Sequence, residues 1–465
     1  MSVNADTRAC RKHRYGLVGH PLAHSLSPFI HGEIMEALGI QGTYELIDIP
    51  PEDLDTLLPR VLDQLDGFNI TIPHKEKVIA HLTGCHPSAA RYGAVNTVFR
   101  RTGYNTDGTG FLSSAPPLAG KDILLLGAGG VSRTMGFEAA YAGAASIRIL
   151  SPGLDKARRL AADIRTKTGI RDISVVDPGD AAELRAEVIL NGSPLGMWPR
   201  IRGVPISHET ACAAEHVFDS VYNPPATRLL LHARTGGAQA RSGLAMLFGQ
   251  AVEAQRIWNP GAAWEDPDVL ARLARIPARL SRELVRRDAV KYVFTGFMGS
   301  GKSTVGRLVA ERIGIPFLDL DDRICAAAGR SIPAIFAQDG EAVFRQLEAG
   351  ILDETLREPG SAVVATGGGA LLQPDAMRIV DASPALVVLL DTLLERILTR
   401  VGRHSGRPLM DGDALEKAER LYRDRMPEYR ACADLVMENN GPENAARVAA
   451  RTAEALGFGE EGMNR

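Results

Sequence analysis

The segment Gly296-Phe-Met-Gly-Ser-Gly301-Lys302-Ser303 carries glycines, a lysine and a hydroxyl at the spacing of a phosphate-binding loop. It directly follows the apolar run YVFT and precedes a segment of helical periodicity. Glycine is needed there because backbone N–H groups must turn inward around phosphate oxygens, while Lys302 adds a cation and Ser303 a hydroxyl for Mg2+. Downstream, FLDLDDRI places Asp319 and Asp321 one residue apart, so that in an extended segment both carboxylates share a face and offer metal support and a base. A second glycine-rich turn, Gly127-Ala128-Gly129-Gly130-Val131-Ser132, follows the run DILLL. It has the form of a dinucleotide-binding loop with Ser132 at the third glycine position.

Both loops need a strand that ends at the phosphate and a helix whose N-terminus faces it. The chain supplies that alternation throughout: short β-branched runs end in Gly or Asn/Asp turns and pass into Ala/Leu/Arg segments of helical spacing. This predicts an α/β chain of βαβ units. At 465 residues there is chain for several cores. The Arg-rich stretch 264–290, interrupted by Pro277, predicts the last helix of one domain and the connector to the next. Pro116, Pro117 and Gly120 punctuate a break between two N-terminal lobes. Together with the family resemblances given below, this implies a catalytic lobe of residues 1–112 and 243–275, a Rossmann-type nucleotide lobe of 113–242, a linker helix at 276–289 and a P-loop domain of 290–465.

Hydrophobic residues make up 45% of the chain and charged residues 23%, with 53 Lys+Arg against 56 Asp+Glu. These values exclude a disordered, collagenous or strongly basic nucleic-acid-binding chain. The five cysteines are odd in number and scattered, predicting neither a disulfide framework nor a zinc cluster. No apolar segment of signal-peptide length follows the basic start MSVNADTRACRKHR, and runs such as ALVVLL are far short of the ~20 residues of a membrane span. A cytoplasmic protein with neither membrane nor nucleic-acid partners is expected. His24, His74 and His86 fit no metal-ligand spacing and are expected in packing or polar roles.

From the phosphate loop onward the motifs continue through Phe344-Arg345-Gln-Leu-Glu348, Thr366-Gly367-Gly368-Gly369, Gly406-Arg407-Pro408-Leu409 and Arg425-Met-Pro-Glu-Tyr-Arg430. In that order they make residues 290–455 resemble shikimate kinase, of the nucleoside-monophosphate-kinase-like P-loop fold with a parallel sheet. The resemblance implies ATP binding by Gly299, Ser300, Gly301, Lys302, Ser303 and Thr304, with Arg400 near the adenine and Arg407 on a lid reaching the transferring phosphoryl group. It implies Mg2+ held by Ser303 and Asp319. Asp321 would bind the substrate hydroxyls and accept the proton of the attacking one, Arg345 and Arg425 would clamp the carboxylate, and Gly367, Gly368 and Gly369 would lie along the ring. An anionic, polyhydroxylated acid calls for guanidinium pairing, and phosphoryl transfer needs positioning and charge neutralisation more than covalent chemistry.

The N-terminal part carries a second set: Gly19-His-Pro-Leu-Ala-His24-Ser25-Leu-Ser27-Pro28, Gly67-Phe-Asn69-Ile-Thr71-Ile-Pro-His-Lys75, Gly93-Ala-Val-Asn96-Thr97 and Asn105-Thr-Asp107-Gly108. It continues through Asn191-Gly-Ser-Pro-Leu-Gly196-Met197, Asp219-Ser-Val-Tyr222-Asn-Pro and Gly243-Leu-Ala-Met246-Leu-Phe-Gly-Gln250. Over about residues 14–275 this resembles shikimate dehydrogenase. Reducing the ketone of 3-dehydroshikimate creates an alkoxide as hydride arrives, so the site needs an acid beside that oxygen. The resemblance assigns that role to Lys75, with Asp107 binding a substrate hydroxyl and holding the lysine. It further implies a carboxylate bound by Ser25, Ser27 and Tyr222, and ring hydroxyls read by Asn69, Thr71, Asn96 and Gln250.

The two resemblances together imply a bifunctional enzyme: NADPH-dependent reduction of 3-dehydroshikimate to shikimate, then Mg·ATP-dependent phosphorylation of shikimate to shikimate 3-phosphate. Two alternatives keep the same folds, an oxidative quinate or shikimate dehydrogenase and a non-catalytic P-loop module that senses shikimate or ATP. The latter predicts loss of Lys302, Asp321 or an arginine of the clamp, and all are present. The cofactor loop departs from the family: after SIRIL the chain reads Ser151-Pro152-Gly153-Leu-Asp155-Lys156, where NADP-dependent relatives typically place Asn-Arg-Thr and a further Arg. No carboxylate stands at the strand end for an NAD ribose, so NADP held by the glycine loop with Ser151 and Lys156 is expected, at reduced discrimination.

Overall fold

The structure, a computed structural model, describes residues 12–23, 25–405, 412–441 and 444–459. It divides into two compact units, one formed by residues up to Pro178 together with Gly243–Leu280, the other by Gly179–Ser242 together with Ser281–Glu460.

In the first unit the strands His13–Gly19 (β1), Gly42–Asp48 (β2), Gly67–Ile70 (β3), Gly84–Cys85 (β4), Thr97–Phe99 (β5) and Thr102–Tyr104 (β6) form a mixed sheet of order β2-β1-β3-β5-β6-β4. β1 runs parallel to β2 and β3, and β5 antiparallel to β3 and β6. The helix Leu244–Trp258 returns to this lobe from far along the chain, and two glycines fix where it crosses the helix Asp107–Leu112. A Cβ on Gly110 would come within 2.6 Å of the Met246 carbonyl, and one on Gly249 within 2.6 Å of Ser113 Oγ, so only hydrogen fits at the crossing. Trp258 at the end of that helix stacks on Tyr15 at 4.7 Å and donates from Nε1 to the Val98 carbonyl at 3.0 Å. The same unit holds the parallel strands Asp122–Leu126 (β7), Ser146–Leu150 (β8) and Ile173–Val176 (β9), with β8 paired to both neighbours.

In the second unit Val188–Asn191 (β10), His216–Asp219 (β11) and Gln239–Ser242 (β12) pair in parallel in that order. Lys291–Thr295 (β13), Phe317–Asp319 (β14), Ala362–Ala365 (β15), Ala385–Asp391 (β16) and Leu435–Glu438 (β17) build a parallel sheet of order β14-β15-β13-β16-β17. Its strands read as nearly continuous apolar runs because both faces are covered. Tyr292, Phe294, Val388 and Leu390 point to one core with Val309 and Val448, while Val293 and Val387 alternate to the other with Leu352 and Ile335.

One apolar core runs through both segments of this unit, since Ile201, Ala226 and Leu231 pack in the same cluster as Tyr292, Leu456 and Phe458. A buried carboxylate ties them further: Asp434, just before β17, accepts from Arg228 Nε at 2.6 Å, from Val387 N at 2.8 Å and from Arg202 Nη1. The stretch expected as an interrupted helix is two helices, Pro267–Ala274 and Ile276–Arg287. Pro277 sits in the first turn of the second, where its missing N–H leaves no hydrogen bond unmade. Among the described residues no helix is long and apolar enough to cross a membrane.

Candidate functional site

In the first unit Lys75 follows β3 and Asp107 opens a short helix after β6, 32 residues apart in the chain. Lys75 Nζ donates to Asp107 Oδ2 at 2.6 Å, with the lysine side chain 27% exposed and the carboxylate 10%. The other carboxylate oxygen accepts from Asn96 Nδ2 at 2.8 Å, and the Asp107 N–H donates to Asn105 Oδ1 at 3.0 Å. Asn96 is held in turn: its Oδ1 accepts from Thr106 N at 2.8 Å and Thr97 Oγ1 at 2.9 Å, and its Nδ2 reaches Gln250 Oε1 at 3.2 Å. That last contact exists only because the glycine crossing brings the helix Leu244–Trp258 against Asp107–Leu112. A lysine with a fixed carboxylate on one side and partial access to solvent on the other can pass a proton to an oxygen placed against it.

Ser25 and Ser27 lie at the N-terminal end of the helix Ser27–Leu38, with Ser27 N donating to Ser25 Oγ at 3.2 Å. Thr71 is packed against their loop: a Cβ on Gly19 would meet Thr71 Cγ2 at 2.3 Å, so glycine is obligatory there. Asn69 spends both amide hydrogens on protein, donating to Asn96 O at 3.1 Å and Thr97 Oγ1 at 3.0 Å, while its Oδ1 accepts from Tyr44 O–H at 2.8 Å. Tyr44, which the motifs did not mark, thus orients Asn69, and its hydroxyl also bonds Ser27; burial pushes its pKa well up. Tyr44 stacks at 4.2 Å on His31, whose burial lowers its pKa to about 3 and keeps it neutral. No local signal marks Tyr44, because one aromatic in a short strand is ordinary. His74 is a packing residue, its Nε2 at 2.7 Å from the Ile49 carbonyl; His86 caps the helix Pro87–Tyr92, and His24 lies outside the described residues.

The glycine turn joins β7 to the helix Gly130–Tyr141. Gly127 takes φ 91° and donates its N–H to Leu150 O at 2.8 Å, which brings the turn beside Ser151. A Cβ on Gly129 or Gly130 would meet nothing within 4 Å, so an open cradle faces the helix N-terminus, as a dinucleotide pyrophosphate requires. Ser132, at the third glycine position, is buried and donates to the Leu126 carbonyl at 3.2 Å, sealing strand to helix. Ser151 is buried and Lys156 exposed, its stem curled within 4.0 Å of where a Gly153 Cβ would lie; Ala128 and Val131 complete the turn. These residues fit the dinucleotide and offer one hydroxyl and one cation to a 2′-phosphate.

Tyr222 follows β11 in the second unit. Its turn is ordered by Asp219, whose carboxylate accepts from Asn191 Nδ2 at 2.8 Å, Val221 N at 3.0 Å and Thr227 Oγ1 at 2.6 Å; burial raises its pKa to about 6.

The phosphate loop links β13 to the helix Lys302–Ile313, with Gly301 at φ 98°. Its Ser300 carbonyl is turned outward to accept from Asn439 Nδ2 at 2.8 Å, Thr392 Oγ1 at 3.2 Å and Arg400 Nη1 at 3.3 Å. Arg400 therefore stands against the loop backbone. Inside, Lys302 Nζ donates to the carbonyls of Gly296 at 3.0 Å and Phe297 at 3.1 Å, and burial lowers its pKa to about 8 against the pull of Asp321 and Asp319. Ser300 Oγ is buried without a partner among the described residues. An orphaned hydroxyl and a buried cation in a glycine loop fit an anionic phosphate, with Gly299 and Thr304 flanking it exposed. Ser303 Oγ donates to Asp319 Oδ2 at 2.7 Å, so the two proposed Mg2+ ligands are already adjacent.

Asp319 and Asp321 do not share the face of an extended segment. The strand stops at Asp319, which caps the helix Leu320–Ala328 by accepting from Asp321 N at 3.1 Å, and Asp321 projects from the first helical turn. It projects toward the triple glycine, where a Cβ on Gly367 would lie 3.0 Å from Asp321 Oδ1 and 2.9 Å from Glu348 Oε1. Burial, with Asp319 adding repulsion, raises the Asp321 pKa. Arg345 is within 3.1 Å of the corresponding point on Gly369, and Arg425 Nη1 reaches the Gly368 carbonyl at 3.4 Å. Six expected residues, Asp321, Arg345, Arg425 and the three glycines, thus converge with Glu348, which holds Arg345 at 2.6 Å. The i,i+3 spacing of Arg345 and Glu348 is the signal that marks this carboxylate. Arg407 lies outside the described residues.

A lysine–carboxylate acid beside a lobe with a dinucleotide cradle, and a phosphate loop facing a pocket of arginines and carboxylates, define an α/β oxidoreductase joined to a P-loop phosphotransferase. The family model of the shikimate dehydrogenase substrate binding domain matches residues 17–98, and that of shikimate kinase matches residues 298–456. Over 259 residues the chain is 40% identical to the shikimate dehydrogenase (NADP(+)) of Symbiobacterium thermophilum, an overlap covering 52% of this chain and 87% of that protein. A chorismate mutase/shikimate 5-dehydrogenase fusion protein from Clostridium acetobutylicum superimposes with a TM-score of 0.52 at 29% identity, over 59% of this chain and 99% of that one. Shikimate dehydrogenase 1 from Peptoclostridium difficile does so with a TM-score of 0.51 at 30% identity, over 58% and 99%. The chain belongs to the shikimate dehydrogenase family and carries a shikimate kinase domain after it.

Proposed function

We propose that this chain catalyses two consecutive reactions, reduction of 3-dehydroshikimate to shikimate and phosphorylation of shikimate at its 3-hydroxyl. Residues 1–112 and 243–275 bind the first substrate, 113–242 the dinucleotide, 276–289 connect, and 290–465 form the kinase. The observation that carries the first activity is the Lys75–Asp107 pair at 2.6 Å with Asn96 behind it. NADPH, held by Gly127 to Ser132, Ser151 and Lys156, supplies the hydride. Lys75 gives its proton to the oxygen that becomes a hydroxyl, while Asp107 fixes the lysine and accepts a hydrogen bond from a neighbouring substrate hydroxyl. Ser25, Ser27 and Tyr222 receive the carboxylate, Thr71, Asn96 and Gln250 the ring hydroxyls. Asn69 joins them through the second lone pair of its Oδ1, while its amide hydrogens hold the Asn96 and Thr97 segment.

The second activity rests on the convergence of Asp321, Arg345, Arg425 and Glu348 on the triple glycine next to the phosphate loop. Mg·ATP supplies the phosphoryl group. Lys302 and the loop amides neutralise charge on it, and Ser303 with Asp319 supports the metal. Asp321, its pKa raised by burial, is poised to take the proton of the attacking hydroxyl, and Arg345 and Arg425 pair with the carboxylate.

Purified protein given 3-dehydroshikimate, NADPH and Mg·ATP together should oxidise NADPH and form ADP in equal amounts. Omitting NADPH should stop both signals, because the kinase then has no substrate. ADP formation that ignores added shikimate, or no NADPH oxidation, overturns the reading.

A further inference from the structure

The segment joining the two enzymes ends at Asp288, which follows the helix Ile276–Arg287 and precedes the first kinase strand. Its side chain has no place in either expected site, yet the residue is only 8% exposed. Asn223, next to Tyr222, donates from Nδ2 to Asp288 Oδ2 at 2.7 Å, and the Asn223 carbonyl accepts from Trp198 N at 2.9 Å. The carboxylate therefore fastens the Tyr222 turn to the connector, while the Asn223 backbone ties the same turn to Trp198. Tyr222 feels it directly: its hydroxyl pKa is raised by burial first and by the Asp288 charge second. On its backbone side Asp288 is anchored in the kinase, its carbonyl accepting from Ser361 Oγ at 2.5 Å, and the same hydroxyl accepts from Val290 N at 3.0 Å. Ser361 immediately precedes β15, which runs into the triple glycine, and Val290 immediately precedes β13, which runs into the phosphate loop.

We propose that Asp288 is a positioning residue of the dehydrogenase supplied by the inter-enzyme connector: it holds the Asn223 turn, and through it Tyr222, at the substrate carboxylate, and it is itself held by the kinase. This rests on the assignment of Tyr222 to substrate binding. The dehydrogenase of this fusion thus depends for substrate affinity on a residue fixed by its neighbour's fold.

The test uses the full chain, with shikimate oxidation and shikimate phosphorylation measured on the same preparations. Asp288→Ala removes the acceptor, and the dehydrogenase KM for shikimate should rise about tenfold with kcat within about twofold, the size of one lost charge-assisted hydrogen bond. Asp288→Asn keeps an acceptor oxygen and should restore KM to within about threefold of wild type. Kinase KM and kcat should not move in either variant, because the Ser361 bond is to the backbone carbonyl. A purely structural role would instead lower both activities in step with the folded fraction. A KM within about twofold of wild type in Asp288→Ala, or no rescue by Asp288→Asn, overturns the proposal. Tyr222→Phe separates it from the reading beneath: if that variant leaves KM unchanged, the assignment of Tyr222 fails, whereas a raised KM there with unchanged KM in Asp288→Ala refutes only the connector's role.

Discussion

Binding of Mg·ATP should draw a proton from solution, and the amount is set by Lys302. Burial in the phosphate loop brings the lysine from its ordinary 10.5 to about 8, although Asp321 and Asp319 favour the charged form. In the free site its ammonium has only the carbonyls of Gly296 and Phe297 as direct partners among the described residues. Phosphate oxygens add negative charge at that point and restore the ammonium across the neutral range. The uptake should then equal the neutral fraction of the free site, about 0.1 proton at pH 7, about 0.5 at pH 8 and about 0.9 at pH 9. Affinity falls with the charged fraction, so the nucleotide should bind roughly tenfold more weakly at pH 9 than at pH 7. Isothermal titration calorimetry in buffers of different ionisation enthalpy reads the proton number as a slope, and Lys302→Arg, charged throughout, should show none from this position. Free protein gives a second reading. Because the folded value lies below the unfolded one, the unfolded chain binds more protons between about pH 8 and 10.5, and stability should rise with pH across that window by roughly 3 kcal/mol. A proton number near zero at pH 9 together with pH-independent affinity would refute the argument.

Lys75→Ala should lower dehydrogenase kcat at least ~100-fold with a smaller change in substrate affinity, and stopped-assay kinetics that showed only a raised KM would assign the lysine to binding. Glu348→Gln should weaken shikimate binding to the kinase by about 1 to 3 kcal/mol without touching ATP affinity, because it loosens Arg345 rather than the phosphate loop; equal losses for both ligands count against it. Lys156→Ala should cut the preference for NADPH over NADH roughly threefold to tenfold, with wild type itself losing preference as salt rises; kcat/KM for each cofactor decides. Asp434→Ala should destabilise the second unit by about 3 to 5 kcal/mol, since it takes the carboxylate from partly buried Arg228 and leaves Arg202 only the exposed Asp381. A thermal midpoint lowered by less than roughly 3 °C contradicts that.

Both nucleotide loops and the α/β class follow from the sequence alone, because a glycine-rich turn, its lysine and the strand and helix around it are local and a handful of neighbouring residue types determines the backbone path. Lys75, Asp107, Asp321, Arg345 and Arg425 were legible only as members of ordered motifs; nothing in their spacing says that Lys75 would meet Asp107 or that Asp321 would leave the face of Asp319. Tertiary structure decided those, since the helix that begins at Leu320 swings Asp321 toward Gly367 and a crossing of Gly110 on Gly249 delivers Gln250 to Asn96. Tyr44, Asp288 and Asp434 were not distinguishable from any strand aromatic or surface acid, and Asp219, although part of the Tyr222 motif, carried no sign that it would order that turn. Their roles arise from burial and from partners far away in sequence, 25 residues for Tyr44 and Asn69, 65 for Asn223 and Asp288, and 206 for Arg228 and Asp434. Composition and periodicity show whether a residue suits an interior or a surface. Which buried carboxylate a guanidinium will answer is set by the packing of strands and helices that bring the two together, and that information is distributed over the whole core.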